Sequence, residues 1–260
     1  MAQIPTGLNN LTPSPQLKTD LSGVFGVRVR HAMVDDKTEN QAFKDFGEWS
    51  SIGCIFFDKL NEPNPSPQFS TDNFARPLFP NNSTIPLKNE IVYCISLPNS
   101  NVQGDVNDKT YYYFQPVNIW GSTHHNAIPD PINGSSTVPA AQSQDYEETQ
   151  AGSVRRVTDG STEIDLGKDF KEKLSIRNLL PYEGDLIYQG RWGQSLRFGS
   201  TNKDAVITNP WSTSGVNGDA ITIIKNGQHE EDSDPWIPQV EDINEDKSSI
   251  YLTTTQKIPI

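Results

Sequence analysis

Proline and glycine interrupt this 260-residue chain at short intervals, with 19 prolines and 18 glycines. Proline breaks helices and glycine weakens them, so a sequence interrupted this often does not form long helices. The apolar residues between the interruptions alternate with polar ones or form short runs, which is typical of strands. The sequence therefore excludes a helix bundle and predicts an all-β protein.

The composition indicates a folded, acidic protein. Aromatic residues make up 9% of the chain, more than a disordered acidic chain carries. Lys and Arg total 21 against 33 Asp and Glu, and the net charge of -12 repels phosphate backbones. No stretch reaches the ~18 to 20 apolar residues of a membrane span, and residues 1–17 lack the pattern of an export signal. We expect a soluble protein with no membrane span and no nucleic-acid partner.

The two cysteines do not predict a disulfide framework. Cys54 and Cys94 each lie inside a short apolar run, and secreted disulfide-rich folds carry four to eight spaced cysteines. Buried, reduced thiols are the favoured interpretation, and a single bridge between paired strands is the alternative.

Residues 21–126 are predicted to form a first domain, a small β-barrel. Segments with strand character lie at 24–30, 51–58, 91–95 and 110–120. Strands this short hide their edges best by closing into a barrel of about five strands. The proline-rich passage 61–86 is too long for an idle hairpin, and we expect it to be functional or to contact another element.

Residues 154–260 are predicted to form a second small β module. Its strands are expected at 186–189, 195–198, 219–224 and 248–254. Glycines are predicted to set the backbone conformation of its turns and hairpins: Gly184, Gly190, Gly193 and Gly199. Aromatic residues are predicted to pack in the two modules: Trp120, Tyr188, Trp192 and Phe198.

Three further segments lack clear strand character. Residues 1–20 predict an extended N-terminal arm, lying on a neighbour or on its own domain, and 127–153 predict a linker or exposed loop. Residues 165–174 are compatible with a short helix or a bent strand. Such segments bury too little of themselves to be ordered alone, so we expect them to contact partner subunits. This is the profile of an assembly component.

One sequence pattern occurs in both modules. Residues 87–93 and 182–188 share the order apolar-x-x-acid-apolar-apolar-Tyr, each just after a proline. The spacing places the acid on the turn that enters a strand. Two related barrels in tandem and coincidence are both compatible with it.

No group of residues has the spacing of an active site. Adjacent acids on an extended chain point to opposite sides, as do His124 and His125, which lack the spacing of metal ligands. Ser195 lies in Gly-Gln-Ser-Leu-Arg, which lacks the closing glycine of a nucleophile elbow. Arg191 and Arg197 are interpreted as fixing loops rather than binding single strands. The sequence predicts no enzyme, no catalytic residue, no metal site and no cofactor.

The segment 179–201 carries a family resemblance. Residues 180–185, running into 190–201 and followed by 241–244, 248–253 and 256–259, resemble baseplate or central-hub structural proteins of contractile-tailed, T4-like bacteriophages, most closely their cyanophage-type relatives. These motifs cover about a quarter of the chain.

The resemblance implies a place in the virion. Hub and spike proteins of such tails carry an oligosaccharide/oligonucleotide-binding (OB) barrel, so it implies OB- or SH3-like barrels here. It further implies synthesis in the host cytoplasm, hub, spike or tube proteins as partners, and a homo-oligomer in the assembled tail. The helical lysozyme domain of the related spike protein is not matched in this sequence, so wall-degrading activity is not implied.

Three functional hypotheses follow. The first is a non-enzymatic subunit of the baseplate hub or spike that bridges neighbouring tail components through its arm, loops and barrels. The second is a carbohydrate-binding module of a virion or host-facing apparatus, in which exposed aromatic residues stack on sugar rings. The third is a wall hydrolase, which the missing acid pair disfavours.

Overall fold

The structure, a computed structural model, describes residues 23–37, 40–60, 69–98, 109–128, 170, 173, 175–229, 237–258 and 260, with the backbone alone at 146–149 and 152–155. The strands are β1 Val24–Ala32, β2 Ile55–Lys59, β3 Phe74–Pro77, β4 Ile91–Pro98, β5 Lys109–Pro116, β6 Tyr146–Thr149, β7 Gly152–Arg155, β8 Leu186–Gln189, β9 Ser195–Ser200, β10 Ala220–Lys225 and β11 Ser249–Thr253. One short α-helix in these residues, α1 Asn40–Asp45, and 3-10 turns at Glu48–Ser51, Thr71–Asn73 and Pro210–Thr213 complete the described elements. The expected predominance of strands is confirmed.

The first five strands form a closed barrel in the order β1-β2-β3-β5-β4, with β4 returning to β1. All neighbours are antiparallel except β3 and β5, which run parallel. Alternate side chains point inward and fill the barrel: Val27, Val29, Ile55, Phe57, Ala75, Val92, Cys94 and Tyr113. The predicted five-stranded closed barrel is confirmed.

Strand β3 lies inside the passage 61–86 that the sequence presented as a loop. Its four residues, Phe-Ala-Arg-Pro, are too few to show a period, and its proline argues against an interior strand. Its parallel pairing with β5 closes the barrel, so β3 exists because of long-range pairing rather than local preference.

A second aromatic cluster covers the outside of β2 and β3. Phe56 points away from the barrel interior yet is fully buried, because Phe46 and Phe69 lie with ring centroids 4.8 Å from it. Phe43 of α1 and Met33 complete this cover. Helix α1 is therefore held by the apolar side chains that it places on the barrel.

The last four strands form an antiparallel sheet in the order β11-β10-β9-β8. A second β module is thus present, but a second barrel is not confirmed, because the described strands form an open sheet. A two-stranded hairpin, β6-β7, spans the end of the predicted linker and the start of the predicted second module.

The two cysteines form no bridge with each other. Cys54 and Cys94 are both free and buried, which agrees with reduced thiols rather than a bridge. The predicted arm, residues 1–20, lies outside the described residues, as does nearly all of 165–174. No helix in the described part of the chain has the length and apolar character needed to cross a bilayer.

Candidate interaction surface

The four-stranded sheet presents an apolar face to solvent, here called the outer face. Strand register places its eight central residues in two rows: Leu186, Phe198, Thr222 and Leu252 in one, and Tyr188, Leu196, Ile224 and Ile250 in the other. None of the eight carries a charge.

Six of these side chains are about half exposed, with exposed fractions of 52% for Leu186, 54% for Tyr188, 42% for Phe198, 43% for Ile224, 57% for Ile250 and 58% for Leu252. Single exposed apolar residues are common on protein surfaces and need no explanation. A contiguous group on adjacent strands is different, because large apolar patches mark interaction sites.

The inner face of the same sheet holds buried charges. Arg197 is 0% exposed, and its Nε and Nη2 lie 2.8 and 2.9 Å from the two carboxylate oxygens of Glu241. Its Nη1 donates to Asp185, and Nη2 also donates to the carbonyl of Leu180. The guanidinium is therefore paired with two buried carboxylates.

The electrostatics of Arg197 favour the charged form. Burial by itself would lower the pKa of Arg197, but the hydrogen bond and charge of Glu241, followed by Asp185, raise it above its ordinary value. The ring centroids of Tyr182 and Trp211 lie 5.7 and 5.5 Å from the guanidinium carbon and close the site. Arg197 is thus a fixed cation inside the sheet module.

A second buried cation lies on the same face. Lys225 is 1% exposed, and its Nζ lies 3.6 Å from Asp246 Oδ1, which His229 Nδ1 also approaches at 3.4 Å. Burial lowers the pKa of Lys225, and the carboxylates of Asp246 and Glu241 oppose that shift. Burial also raises the pKa of Tyr251, whose hydroxyl is buried near the same acids.

These contacts fix which side of the sheet faces solvent. Turning Arg197 or Lys225 outward would leave Glu241 and Asp246 buried without their partners, at a cost of several kcal/mol per charge. In the part of the chain that the structure describes, the outer face is therefore the side of the sheet that stays exposed, although hydrophobic burial alone would favour hiding it.

An ion pair joins this sheet to the barrel. Arg191, in the turn between β8 and β9, places Nη1 and Nη2 at 2.8 and 2.7 Å from the two oxygens of Glu90, whose side chain is 0% exposed. The backbone N–H groups of Leu87 and Asn126 donate to the same carboxylate, each at 2.8 Å. A bidentate pair of this kind restricts both distance and orientation.

The two acids of the repeated sequence pattern have the same local structure. Leu87 N–H donates to Glu90 Oε2 at 2.8 Å, and Tyr182 N–H donates to Asp185 Oδ2 at 3.2 Å. In each turn the acid's own N–H donates back to the carbonyl three residues earlier.

The residue before each acid has a positive φ, 67° at Asn89 and 89° at Gly184. Asparagine and glycine tolerate this conformation best, which explains the residue types there. Each acid is then paired with an arginine, Glu90 with Arg191 and Asp185 with Arg197. The pattern therefore specifies a turn whose buried carboxylate forms an ion pair with an arginine.

The remaining predicted glycines have separate structural roles. Gly193 has a φ of 84° in the β8–β9 turn, where a Cβ would also lie 3.0 Å from Gln228 Cγ. Gly199 has no positive φ, but a Cβ there would lie 2.9 Å from Oδ1 of Asp185, whose Oδ2 accepts from Arg197. A Cβ at Gly190 would meet only the flexible side chain of Gln194.

The predicted packing residues divide into two groups. Trp192 lies at the junction, with its ring centroid 5.0 Å from that of His124, and Trp120 Nε1 donates to Ala127 O at 2.8 Å. Tyr188 and Phe198 instead lie on the outer face, so the structure places them on a surface rather than in a core.

The histidine pair has structural hydrogen bonds. His124 Nε2 accepts from Lys173 N–H at 2.8 Å, so Nδ1 carries the proton and donates to Arg191 O at 2.7 Å. His125 Nδ1 accepts from Ala127 N–H. In the described ranges, no three His, Cys, Asp or Glu side chains are grouped as a metal site would require.

The acids that pair with the two arginines were not predicted from the sequence. Arg191 and Arg197 were predicted to fix loops, but Glu90 and Glu241 were not identified as their partners. The recurring acid before a strand was the one available signal for Glu90. Nothing local marks Glu241, because its contact with Arg197 spans 44 residues.

Comparison of the chain with protein-family models, with curated proteins and with solved structures gives no match.

Proposed function

We propose that this protein is a non-enzymatic structural subunit of a contractile phage tail, associated with the baseplate hub or spike, that joins neighbouring components by docking. The outer face is the single observation that carries the docking role. The virion setting rests on the sequence resemblance in residues 179–201.

The contacts on the inner face of the sheet support the interpretation of the outer face as a docking surface, rather than as a face that belongs in the hydrophobic core of the same chain. Arg197, Glu241 and Asp185 hold the opposite face inward, and Arg191 with Glu90 ties the sheet to the barrel. A rigid apolar surface binds with little ordering cost, because few side chains and no backbone need to be fixed on association.

The barrel supports a structural role as well. Its closed order β1-β2-β3-β5-β4 supports an OB-like assignment, and OB folds use the β2–β3 face to bind oligonucleotides and oligosaccharides. Here Phe43, Phe46 and Phe69 cover that face and bury Phe56. Nucleic acid is therefore disfavoured on the barrel by geometry as well as by the net charge of -12.

Carbohydrate binding is the alternative, because Tyr188 and Phe198 offer exposed rings on a shallow surface. Sugar sites also need several convergent polar groups. Among the eight outer-face residues only Tyr188 and Thr222 have a polar side-chain atom. The outer face therefore suits an apolar protein surface better than a glycan, and a glycan array with a specific hit abolished by Tyr188→Ala would reverse this preference.

Genetic complementation in the phage that encodes the chain tests the proposed function. Deleting the gene should give particles without a functional contractile tail, and the wild-type gene should restore them. Phe198→Glu, which places a charge on the outer face, should fail to restore them, whereas Ile207→Glu, at a position 72% exposed outside the sheet, should succeed.

Mass spectrometry of purified particles provides the second readout. We expect the chain in a fixed copy number per tail. Normal tails in the deletion strain, or purified particles that lack the chain, would show that the proposed function is wrong.

A further inference from the structure

We infer that the outer face binds the outer face of a second copy of this chain, so that two four-stranded sheets pack into a sandwich. The inference deepens the proposed function and rests on it for the use of the outer face. It names the occupant as a like subunit rather than a different tail protein.

Charge does not oppose the binding of a second copy at this surface. Two chains of net charge -12 repel each other at most relative orientations. The outer face contributes no charge to a contact. The charged side chains of the sheet module that lie closest, Asp185, Arg197 and Lys225, are buried on the inner face. Pairing outer face to outer face therefore brings no like charges into direct contact.

The shape of the outer face is complementary to that of a second outer face related to it by a twofold axis. Phe198 on β9 projects next to the short side chain of Thr222 on β10, in the same row. A twofold axis along the strands, midway between β9 and β10, sets β9 of one copy opposite β10 of the other. Phe198 of each copy then lies over Thr222 of its partner, where the short side chain leaves room. Isologous contacts of this kind close as dimers.

Full burial of both outer faces reaches the lower limit of area for a specific dimer. The six half-exposed large side chains carry roughly 150–200 Å² of surface each, so the open area is on the order of 500 Å² per copy. Two outer faces together reach the roughly 1,000 Å² that a specific interface needs. Sheets packed in this way lie about 10 Å apart, with their side chains interdigitated.

Light scattering on the full-length chain tests the inference. We expect a dimer for the wild type at micromolar concentrations and a monomer for Thr222→Lys, which puts a charge at the centre of the interface. Thr222 already points to solvent at partial exposure, so a lysine fits the monomer without disturbing the inner face. The matched control, Val206→Lys, adds the same charge at a fully exposed position outside the sheet and should remain dimeric.

Mixed cysteine crosslinking tests the register independently of stability. An equimolar mixture of Phe198→Cys and Thr222→Cys chains should form a disulfide between unlike chains on mild oxidation. Cys54 and Cys94 do not interfere, because both are buried. Val216→Cys, at an exposed position away from the outer face, replaces Thr222→Cys in the control mixture and should give no such product.

Each outcome decides the question. A monomeric wild type at about 100 μM, a trimer, or a dimer that survives Thr222→Lys with native circular dichroism overturns the inference. If the wild type is monomeric and Phe198→Glu still fails in complementation, the proposed function stands and the outer face binds a different subunit. If the wild type is dimeric and the deletion strain has normal tails, the pairing of outer faces stands and the proposed function is wrong.

Discussion

At the residue scale, the unusual group is Arg197, a fully buried cation held by Glu241 and Asp185. Replacing a buried ion pair entirely is often tolerated, but removing one partner leaves the other charge buried and uncompensated. Loss of Arg197 is therefore expected to lower the free energy of unfolding strongly.

Arg197→Met is expected to lower the free energy of unfolding by about 3–5 kcal/mol, because both carboxylates lose their counter-charge. Urea unfolding followed by circular dichroism measures the change. Lys257→Met is the matched control, since Lys257 is exposed and its replacement should change stability by less than about 0.5 kcal/mol. Equal midpoints for the two variants would contradict the structural role of Arg197.

The buried thiols predict loss of stability in alkali. Burial raises the pKa of Cys54 to about 11, partly offset by Arg76, and that of Cys94 to about 12, from an ordinary 9.0. The folded state keeps these protons longer than the unfolded chain does, so the contribution to stability is full below pH 9 and is lost as the pH rises to about 12. Burial raises the pKa of Tyr113 and so adds to the loss, whereas Lys225, whose pKa is lowered, acts in the opposite sense.

Unfolding free energies measured at pH 8, 9, 10 and 11 should fall more steeply for the wild type than for Cys94→Ala. The variant lacks one of the two titrating thiols, and its lower stability at neutral pH does not affect this comparison of slopes. Parallel curves for the two proteins would show that Cys94 does not contribute to the alkaline loss.

At the element scale, the β8–β9 turn connects the sheet to the barrel. Arg191 binds Glu90 with two hydrogen bonds, and the neighbouring Trp192 packs on His124. The turn needs Gly193 at its positive φ to present these two side chains. Because Glu90 lies immediately before β4, one turn couples both modules.

Arg191→Gln is expected to destabilise the protein by about 3 kcal/mol, because Glu90 stays buried without its cation. It should also split thermal unfolding into two transitions as the modules lose their coupling, which calorimetry measures. Arg30→Gln is the control, since its partner Asp58 is 19% exposed whereas Glu90 is 0% exposed, so the loss of Arg30 should lower stability by less than the loss of Arg191 does. A single transition in Arg191→Gln would show that other contacts maintain the coupling.

At the scale of the whole molecule, the sheet module carries apolar side chains on both of its faces. The inner face packs Ile221 and Ile223 against Trp211 and also buries the cations Arg197 and Lys225, while the outer face exposes aliphatic and aromatic side chains to solvent. A chain with this arrangement exposes an apolar surface until a partner covers it. Under the proposed function, a partner subunit would complete the burial of a chain whose overall apolar content is 34%.

Removal of residues 1–20 tests the predicted arm, which lies outside the described residues. We expect the truncated protein to unfold at the same urea concentration as the full chain, because every strand that the structure describes lies after residue 20. We expect it to fail in phage complementation, because the arm is predicted to lie on a neighbour. Restored tails would show that the arm is dispensable.

The sequence alone determined the secondary-structure class and the positions of most strands. Alternation and short apolar runs located segments that contain or overlap β1, β2, β4, β5 and β8 to β11, because strand preference is carried by neighbouring residues. Strands β3, β6 and β7 and helix α1 were not predicted. Strand β3 is held by its pairing with β5, which is distant in sequence, and α1 is held by the side chains that it packs on β2.

Only the tertiary structure decided which face of the sheet is buried. In β10 the inward set is Ile221, Ile223 and Lys225 and the outward set is Ala220, Thr222 and Ile224, so alternation alone does not favour exposing the second set. On the inner side, Asp246 and Glu241 receive Lys225 and Arg197, and Trp211 packs against the two inward isoleucines. A buried charge needs its partner within a few ångströms, and that proximity is a property of the folded chain rather than of any local sequence.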